Sequence, residues 1–502
     1  MSRPAPALSV FVRENLEAFA VAIALALVVR HYSLEAFRIP SKSMMPTLWG
    51  SETGGDRILV DKGRWLRHEP SRWEPTVFQY PLNRSKNFIK RMVGLPKETL
   101  RIENGDIWTS RDGGEFAIER KPRGPQEALF FAYYPEPIEK PAHFANRPNW
   151  EGLGWEIDER EGRFAVDAKG KIPLRFLHDV AQYHSDGMVG GDRLDDGGDS
   201  AGDLRVRFAL HVERKGILAI ELTEHGLARR LVLGPDGSYA TVAHADRPEE
   251  RFPVDVRLRE GEYRISFANV DDALVIAIEG DAELEPPPIP FSSEGDTEWQ
   301  GAARKRIEEL DTEAAALEGE DKTEEAARLR LEAEAVRKKL DEGRHRVVFE
   351  ADGIQATITD ARIDRDVHYT QDGEWDIPEG NYFMLGDNTN SSKDSRAWKI
   401  AEVQLKDGTI IRWEEARYTN GDPPGQPSSS FDPSGPDQVI EVKADIDGLV
   451  RRFHTSDVAK KTVDKAWPFV SKDHLVGRAF AIFWPIHIWP VVKQPTRIGL
   501  IR

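Results

Sequence analysis

The sequence predicts a mainly β chain, and three patterns carry that expectation. Residues 204–212 (LRVRFALHV) alternate apolar and polar side chains with period two, as a half-buried strand does. Further strand-like runs follow at 217–222, 228–233, 254–258, 263–268 and 274–278, with turn residues between them, a succession that predicts a β-sandwich. A strand also follows the turn signal at Gly55-Asp56, in Arg57-Ile58-Leu59-Val60.

Two segments depart from this pattern. Over 297–342, Ala303, Ile307, Leu310, Ala314 and Leu317 recur four and three apart, and Ala326, Leu329, Ala333, Val336 and Leu340 repeat the spacing. Thr297 with Gln300 and Asp321 with Glu324 have the form of capping boxes, so an antiparallel helical hairpin is expected there. Near the N-terminus, residues 16–37 contain an unbroken apolar stretch from Ala18 to Val29. About 22 helical residues span roughly 33 Å, close to the hydrocarbon thickness of a bilayer. Arg30-His31-Tyr32 follows where a cleavable leader needs small residues, so an uncleaved single transmembrane anchor is expected. Charge does not orient it: Arg3 and Arg13 precede the segment, and Arg30, Arg38 and Lys42 follow it.

Composition removes several kinds of chemistry. Of 502 residues none is cysteine, which excludes disulfides, a thiol nucleophile and Cys-ligated metal. The formal net charge of −17 opposes nucleic-acid binding through the overall field. With 22 Phe and 13 Trp the chain has the apolar bulk for packed cores. Gly198-Asp199-Ser200-Ala201-Gly202 fits the nucleophile-elbow spelling, but its flanks are polar loop rather than buried strand and helix. The aspartates around it depart from the spacing of a calcium-binding helix–loop–helix, and His178 and His184 have no matching ligand set. No metal and no cofactor are expected.

Four ordered blocks carry chemistry. Phe37-Arg38-Ile39-Pro40-Ser41-Lys42-Ser43-Met44-Met45-Pro46-Thr47-Leu48 reads as an extended segment ending in a turn, and Gly55 to Lys62 as a strand. Asn87-Phe88-Ile89-Lys90-Arg91-Met92-Val93 sets one lysine in an apolar run. Far downstream, Gly380-Asn381-Tyr382-Phe383-Met384-Leu385-Gly386-Asp387-Asn388 leads to Ser391-Ser392-Lys393-Asp394-Ser395-Arg396.

These blocks, with a fifth at His474-Leu475-Val476-Gly477-Arg478-Ala479-Phe480-Ala481-Ile482, resemble the bacterial type I signal peptidases, or leader peptidases, a Ser–Lys dyad serine protease family. The resemblance implies a signal-peptidase-like β catalytic core, with Ser43 as nucleophile and Lys90 as general base. It gives Ser41 a place in the oxyanion hole beside the Ser43 N–H, and gives Ser392 the task of orienting Lys90. Asp394, Arg396 and an Asp387–Arg91 pair match the family's supporting charges. Phe37, Ile39, Met44, Leu48, Phe88 and Ile89 match the apolar residues that meet the substrate's small side chains. Lys42 and Lys97-Glu98 depart from the family's usual residues, away from the dyad.

The chemistry is physically coherent. A lysine acts as a base only when neutral, and at an ordinary pKa near 10.4 only about 0.1% is neutral around pH 7.5. A shift of roughly three units, about 4 kcal/mol, is needed, and burial among Phe88, Ile89, Met92 and Val93 is what would supply it. Ser–Lys pairs are a known variant of triad logic, and oxyanion donors add about 3–4 kcal/mol.

The expected organisation is a cytoplasmic segment 1–15, the anchor 16–37, catalytic core 38–125, a large β-sandwich-like insertion 126–379 containing the hairpin, catalytic core 380–401, a second insertion 402–465 with a Pro/Gly/Ser linker at 421–437, and a final strand with an aromatic tail at 466–502. The implied function is cleavage of signal peptides from exported preproteins after Ala-x-Ala-like residues, at the extracytoplasmic or periplasmic side of the inner membrane. Preproteins and the lipid bilayer are the expected partners, with an unidentified ligand of the inserted β domain. Residues 267–274 faintly resemble lectin folds, which leaves a membrane-tethered carbohydrate-binding protein with an inactive peptidase core as the alternative.

Overall fold

The computed structural model describes the chain apart from residues 1–14, 24–32, 52–53, 136–148, 178–200, 225, 245–246, 281–282, 294–297, 320–322, 343–346, 415–433, 436, 443–444, 485–497 and 502. The chain is mainly β. Its first sheet is built from Leu34–Arg38 (β1), Arg57–Asp61 (β2), Pro75–Tyr80 (β3) and Asn83–Gly94 (β4), joined by Leu475–Trp484 between β2 and β3. Beyond β4 lie Asn381–Leu385 and Phe469–Ser471. All of these pairings are antiparallel. β4 is exposed over its first half and buried over its second, and Lys90 opens the buried half. Glu98–Glu103 (β5) and Asp106–Arg111 (β6) form a small sheet with Ala117–Ile118 and Gly373–Asp376. The last of these strands falls inside the expected 126–379 insertion yet pairs with β5.

The anchor expected over 16–37 needs correcting at its C-terminal end. Leu34–Arg38 is strand, paired in register with β2 from Leu34 opposite Asp61 to Arg38 opposite Arg57. Apolar content suggested continued helix, but the segment alternates. Glu35 reaches Lys62 at 3.1 Å, and Phe37 packs on the core beneath. Residues 15–23 are helical, with Leu16, Phe19, Val21 and Ile23 exposed. No helix among the described residues is long and apolar enough to cross a membrane, and residues 24–32 of the expected span lie outside them.

In sequence between the strands of the first sheet, two further antiparallel sheets of nine and seven strands share one apolar core. One runs through Leu204–Arg214, Gly261–Val270, Ala273–Glu279 and Gln355–Arg365, and the other through Ile217–Glu224, Leu227–Leu233, Ser238–Val242 and Val347–Asp352. The strand expected at 254–258 lies earlier, at Glu250–Val254. The Val256 N–H turns back to the Val254 carbonyl at 2.8 Å, which ends the strand. Glu298–Gly319 and Thr323–Glu342 form the helical hairpin, with Leu310, Ala314, Ala326 and Ala333 buried and Arg306 reaching Glu332 at 2.9 Å. Lys399–Leu405 and Ile410–Glu414 form a hairpin about Gly408, whose φ of 91° suits glycine. The Gly198–Gly202 motif through Ser200, His178, His184, residues 421–433 of the expected linker and Trp489 lie outside the described residues.

Candidate active site

The nucleophile block leaves β1 and closes a single helical turn at Lys42–Met44, where the Met45 N–H donates to the Lys42 carbonyl at 3.0 Å. Met44 and Leu48 are fully buried in a core with Ile39, Ile58 and Val60, so the turn carrying Ser43 is pinned by its apolar neighbours. From the far end of the sequence, the Asn388 N–H donates to the Ser43 carbonyl at 3.1 Å, and Asn388 Nδ2 donates to the Lys42 carbonyl at 3.0 Å. Close approach explains two glycines. A Cβ on Gly386 would lie 2.4 Å from the Ser43 carbonyl oxygen, and one on Gly50 would lie 1.7 Å from that of Ser41.

Lys90 comes from β4, and its Nζ is hydrogen-bonded to Ser43 Oγ across 47 residues of sequence. Lys90 is 3% exposed and Ser43 7%. Burial lowers the Lys90 pKa from 10.5 to about 8, against the opposing pull of Asp394 and Asp387 and with a smaller push from Arg396. Near pH 8 about half of the amine is therefore neutral. Ser41 Oγ, on an exposed residue, stands 3.4 Å from Ser43 Oγ.

Two buried ion pairs frame the dyad. Arg91 grips Asp387 through Nε at 2.8 Å and Nη2 at 2.7 Å, and its Nη1 donates to the Trp73 carbonyl at 2.6 Å. Thr47 Oγ1 also donates to Asp387, at 2.6 Å, tying the nucleophile block to the same carboxylate. Arg396 holds Asp394 through Nε at 2.9 Å and Nη2 at 2.7 Å, while Asp394 accepts the Gly386 N–H at 3.0 Å. Arg396 further donates to Thr389 Oγ1 at 2.8 Å and the Thr370 carbonyl at 2.7 Å. Thr47, Asn388 and Thr389 were not singled out from the sequence. Each stands inside or beside a block quoted above, but its role depends on partners many residues away.

Ser392 does not bond Lys90 here. Its Oγ is buried with no hydrogen-bond partner, near where a Cβ on Gly386 would be. Of the six apolar candidates, Ile39, Met44 and Leu48 are enclosed, while Phe37 and Ile89 are partly exposed on the same cluster. Phe88 stands apart, stacked on Tyr80 at 4.2 Å and tilted against Trp398 at 6.5 Å in a neighbouring core. The unit of nucleophile, buried base and nearby hydroxyl has the parts of a serine hydrolase site.

The chain is similar to known proteins in the segments that hold these residues. The family described as signal peptidase, peptidase S26, matches residues 12–129 and 315–412. The chain is 36% identical over 117 residues to a probable signal peptidase I-1 of Synechocystis sp., covering 22% of this chain and 57% of that one. It is 38% identical over 110 residues to signal peptidase I of Pseudomonas aeruginosa, covering 18% and 37%, and 37% identical over 91 residues to that of Buchnera aphidicola, covering 16% and 28%. The chain thus spans little more than half the length of these relatives at most. Among solved structures, the exoplasmic domain of VIP36 aligns at 9% identity over 45% of this chain and 86% of that one, with a TM-score of 0.24, a likeness too slight to imply shared function. In its matched segments and in the blocks that build the site, the chain is similar to the signal peptidase family, peptidase S26.

Proposed function

We propose that this chain is a membrane-bound serine endopeptidase that removes signal peptides from exported preproteins after small residues. The observation that carries the reading is a fully enclosed lysine, with pKa lowered to about 8, hydrogen-bonded to the Ser43 hydroxyl. Neutral Lys90 takes the Ser43 proton as Oγ attacks the scissile carbonyl, and the ammonium so formed gives that proton to the leaving amine. The oxyanion is met by the Ser43 N–H and the Ser41 hydroxyl. Water, deprotonated by Lys90, then hydrolyses the acyl-enzyme and frees Ser43. The Arg91–Asp387 pair ties the strand that carries the base to the loop after Asn381–Leu385, and within that loop Arg396 holds Asp394 while Asn388 holds the turn that carries Ser43. Ser392 serves this reading by turning its free hydroxyl to Lys90 when substrate seats.

In the same reading, the run from Ala18 to Val29 anchors the chain in the inner membrane, with the catalytic sheet on the extracytoplasmic side. The exposed Leu16, Phe19, Val21 and Ile23 support it, since such a face finds no apolar cover within the described protein. The substrate lies extended beside the site, and apolar residues such as Phe37 and Ile89 select small side chains.

The test is cleavage of a preprotein in detergent, with alanine or leucine immediately before the cut. Leucine is expected to lower kcat/KM by roughly 100-fold, because a site shaped for a methyl group must be overpacked to admit it. Equal cleavage of the two substrates, or no cleavage of either, would contradict the reading.

A further inference from the structure

Away from the dyad, acidic side chains crowd where the small sheet of β5 and β6 meets the two larger sheets. Asp106 begins β6, Asp203 precedes Leu204–Arg214, and Asp271 follows Gly261–Val270. One carboxylate oxygen from each lies within 4.8 Å of the others. Two oxygens on opposite sides of a calcium ion, each at roughly 2.4 Å, are separated by about that distance. Asp106 and Asp203 keep part of their surface open to solvent, whereas Asp271 is buried beneath them.

The negative charge is under-compensated by neighbouring cations. Asp272, Glu224 and Asp366 add their fields to the same site. Lys121 pairs with Asp271 and, at 2.7 Å, with Asp366. Arg120 is directed elsewhere, donating to the Asp271 and Asp272 carbonyls at 3.0 and 3.1 Å. A bound cation would offset this excess of negative charge.

A second observation favours a cation. Asn269, two positions before Asp271, is 1% exposed. Its Nδ2 donates at 2.7 Å to Glu224, whose charge acts on Asp106 and Asp203, yet its Oδ1 is buried with no hydrogen-bond partner. A proton shared among carboxylates leaves that carbonyl oxygen unsatisfied, whereas a hard cation accepts a neutral oxygen ligand readily.

We propose that Asp106, Asp203 and Asp271 hold a divalent cation of the calcium class, which fastens the inserted sheets to the small sheet beside the catalytic core. All the donors are oxygens, which suits a hard cation and excludes a preference for zinc or copper. Asp106 comes from one side of the junction and Asp203 and Asp271 from the other, so cation binding couples to their docking.

The test uses the full chain in detergent, stripped with chelator and titrated with calcium, magnesium or terbium. Calcium at about 100 times its dissociation constant is expected to raise the unfolding midpoint by roughly 5 °C. Terbium is expected to luminesce on tryptophan excitation, because the Trp73 ring lies 5.1 Å from the Lys121 ammonium that borders the site. Asp203→Asn is expected to weaken both responses at least tenfold. Neither a midpoint shift nor luminescence in the wild type would overturn the proposal and leave protons as the neutralising agent. An undiminished response in Asp203→Asn would place the cation elsewhere, and a larger shift with magnesium than with calcium would overturn the class. Should Asp203→Asn fail to fold, the wild-type titrations with the three metals decide the question.

Discussion

Lys90→Met is expected to lower preprotein turnover by roughly 10³-fold or more while raising the unfolding midpoint at pH 7. The activity loss follows because methionine fills a similar volume but cannot take a proton, and a positioned base contributes about 10²–10⁴-fold. Ser43→Ala is expected to cost about as much. The double variant should be little worse than either single one, since the two groups act as one unit. The stability gain comes from the same burial. The folded pKa of about 8 lies below the ordinary 10.5, so folding disfavours the ammonium. That penalty, about 3 kcal/mol by the size of the shift, is fully present below pH 8 and is relieved as pH rises toward 10.5. Methionine removes it, less the lost hydrogen bond to Ser43. Single-turnover cleavage and thermal unfolding at pH 7 check both halves. Retained turnover would exclude Lys90 as the base, and a large drop in midpoint would mean that the lysine is structural.

Asp387→Ala is expected to destabilise the protein by about 3–5 kcal/mol, the cost of leaving a buried guanidinium unpaired. Arg91 and Asp387 both have fully buried side chains, and the pair is bidentate. Thr47 loses its acceptor in the same variant. Arg91→Met combined with Asp387→Leu should recover much of the loss, because an apolar pair leaves no orphaned charge. Urea unfolding measures the difference. A cost below about 1 kcal/mol for Asp387→Ala would mean that water reaches Arg91 and that the pair does not lock β4 to its neighbouring strand.

Local patterns in the sequence were the legible ones. The alternation in 204–212 becomes the buried and exposed faces of Leu204–Arg214, and the four-and-three spacing from Ile307 to Leu317 becomes the inner face of a helix, with Leu310 and Ala314 buried. The Arg91–Asp387 partnership was legible only through the family resemblance, because the two residues are 296 positions apart. Asn388 and Thr47 show what spacing does not convey. Their contacts to Lys42, Ser43 and Asp387 depend on which strands lie side by side, and nothing in the local sequence states that. The misreading of Leu34–Phe37 has a similar cause. Four residues of mixed polarity fit a helix end or a short strand equally well, and pairing with β2 decided between them. The acidic group at Asp106, Asp203 and Asp271 escaped notice for the same reason, since it draws on segments nearly 170 residues apart.

The pH dependence of kcat/KM, measured on a signal-peptide substrate from about pH 6 to 10, tests most directly whether a neutral Lys90 is the base. Below the pKa only the neutral fraction is active, so the rate should rise about tenfold per pH unit and level off above about 8. A rate constant with pH across that range, or one that levels off near the ordinary histidine pKa of about 6.5, would contradict the Ser43–Lys90 mechanism.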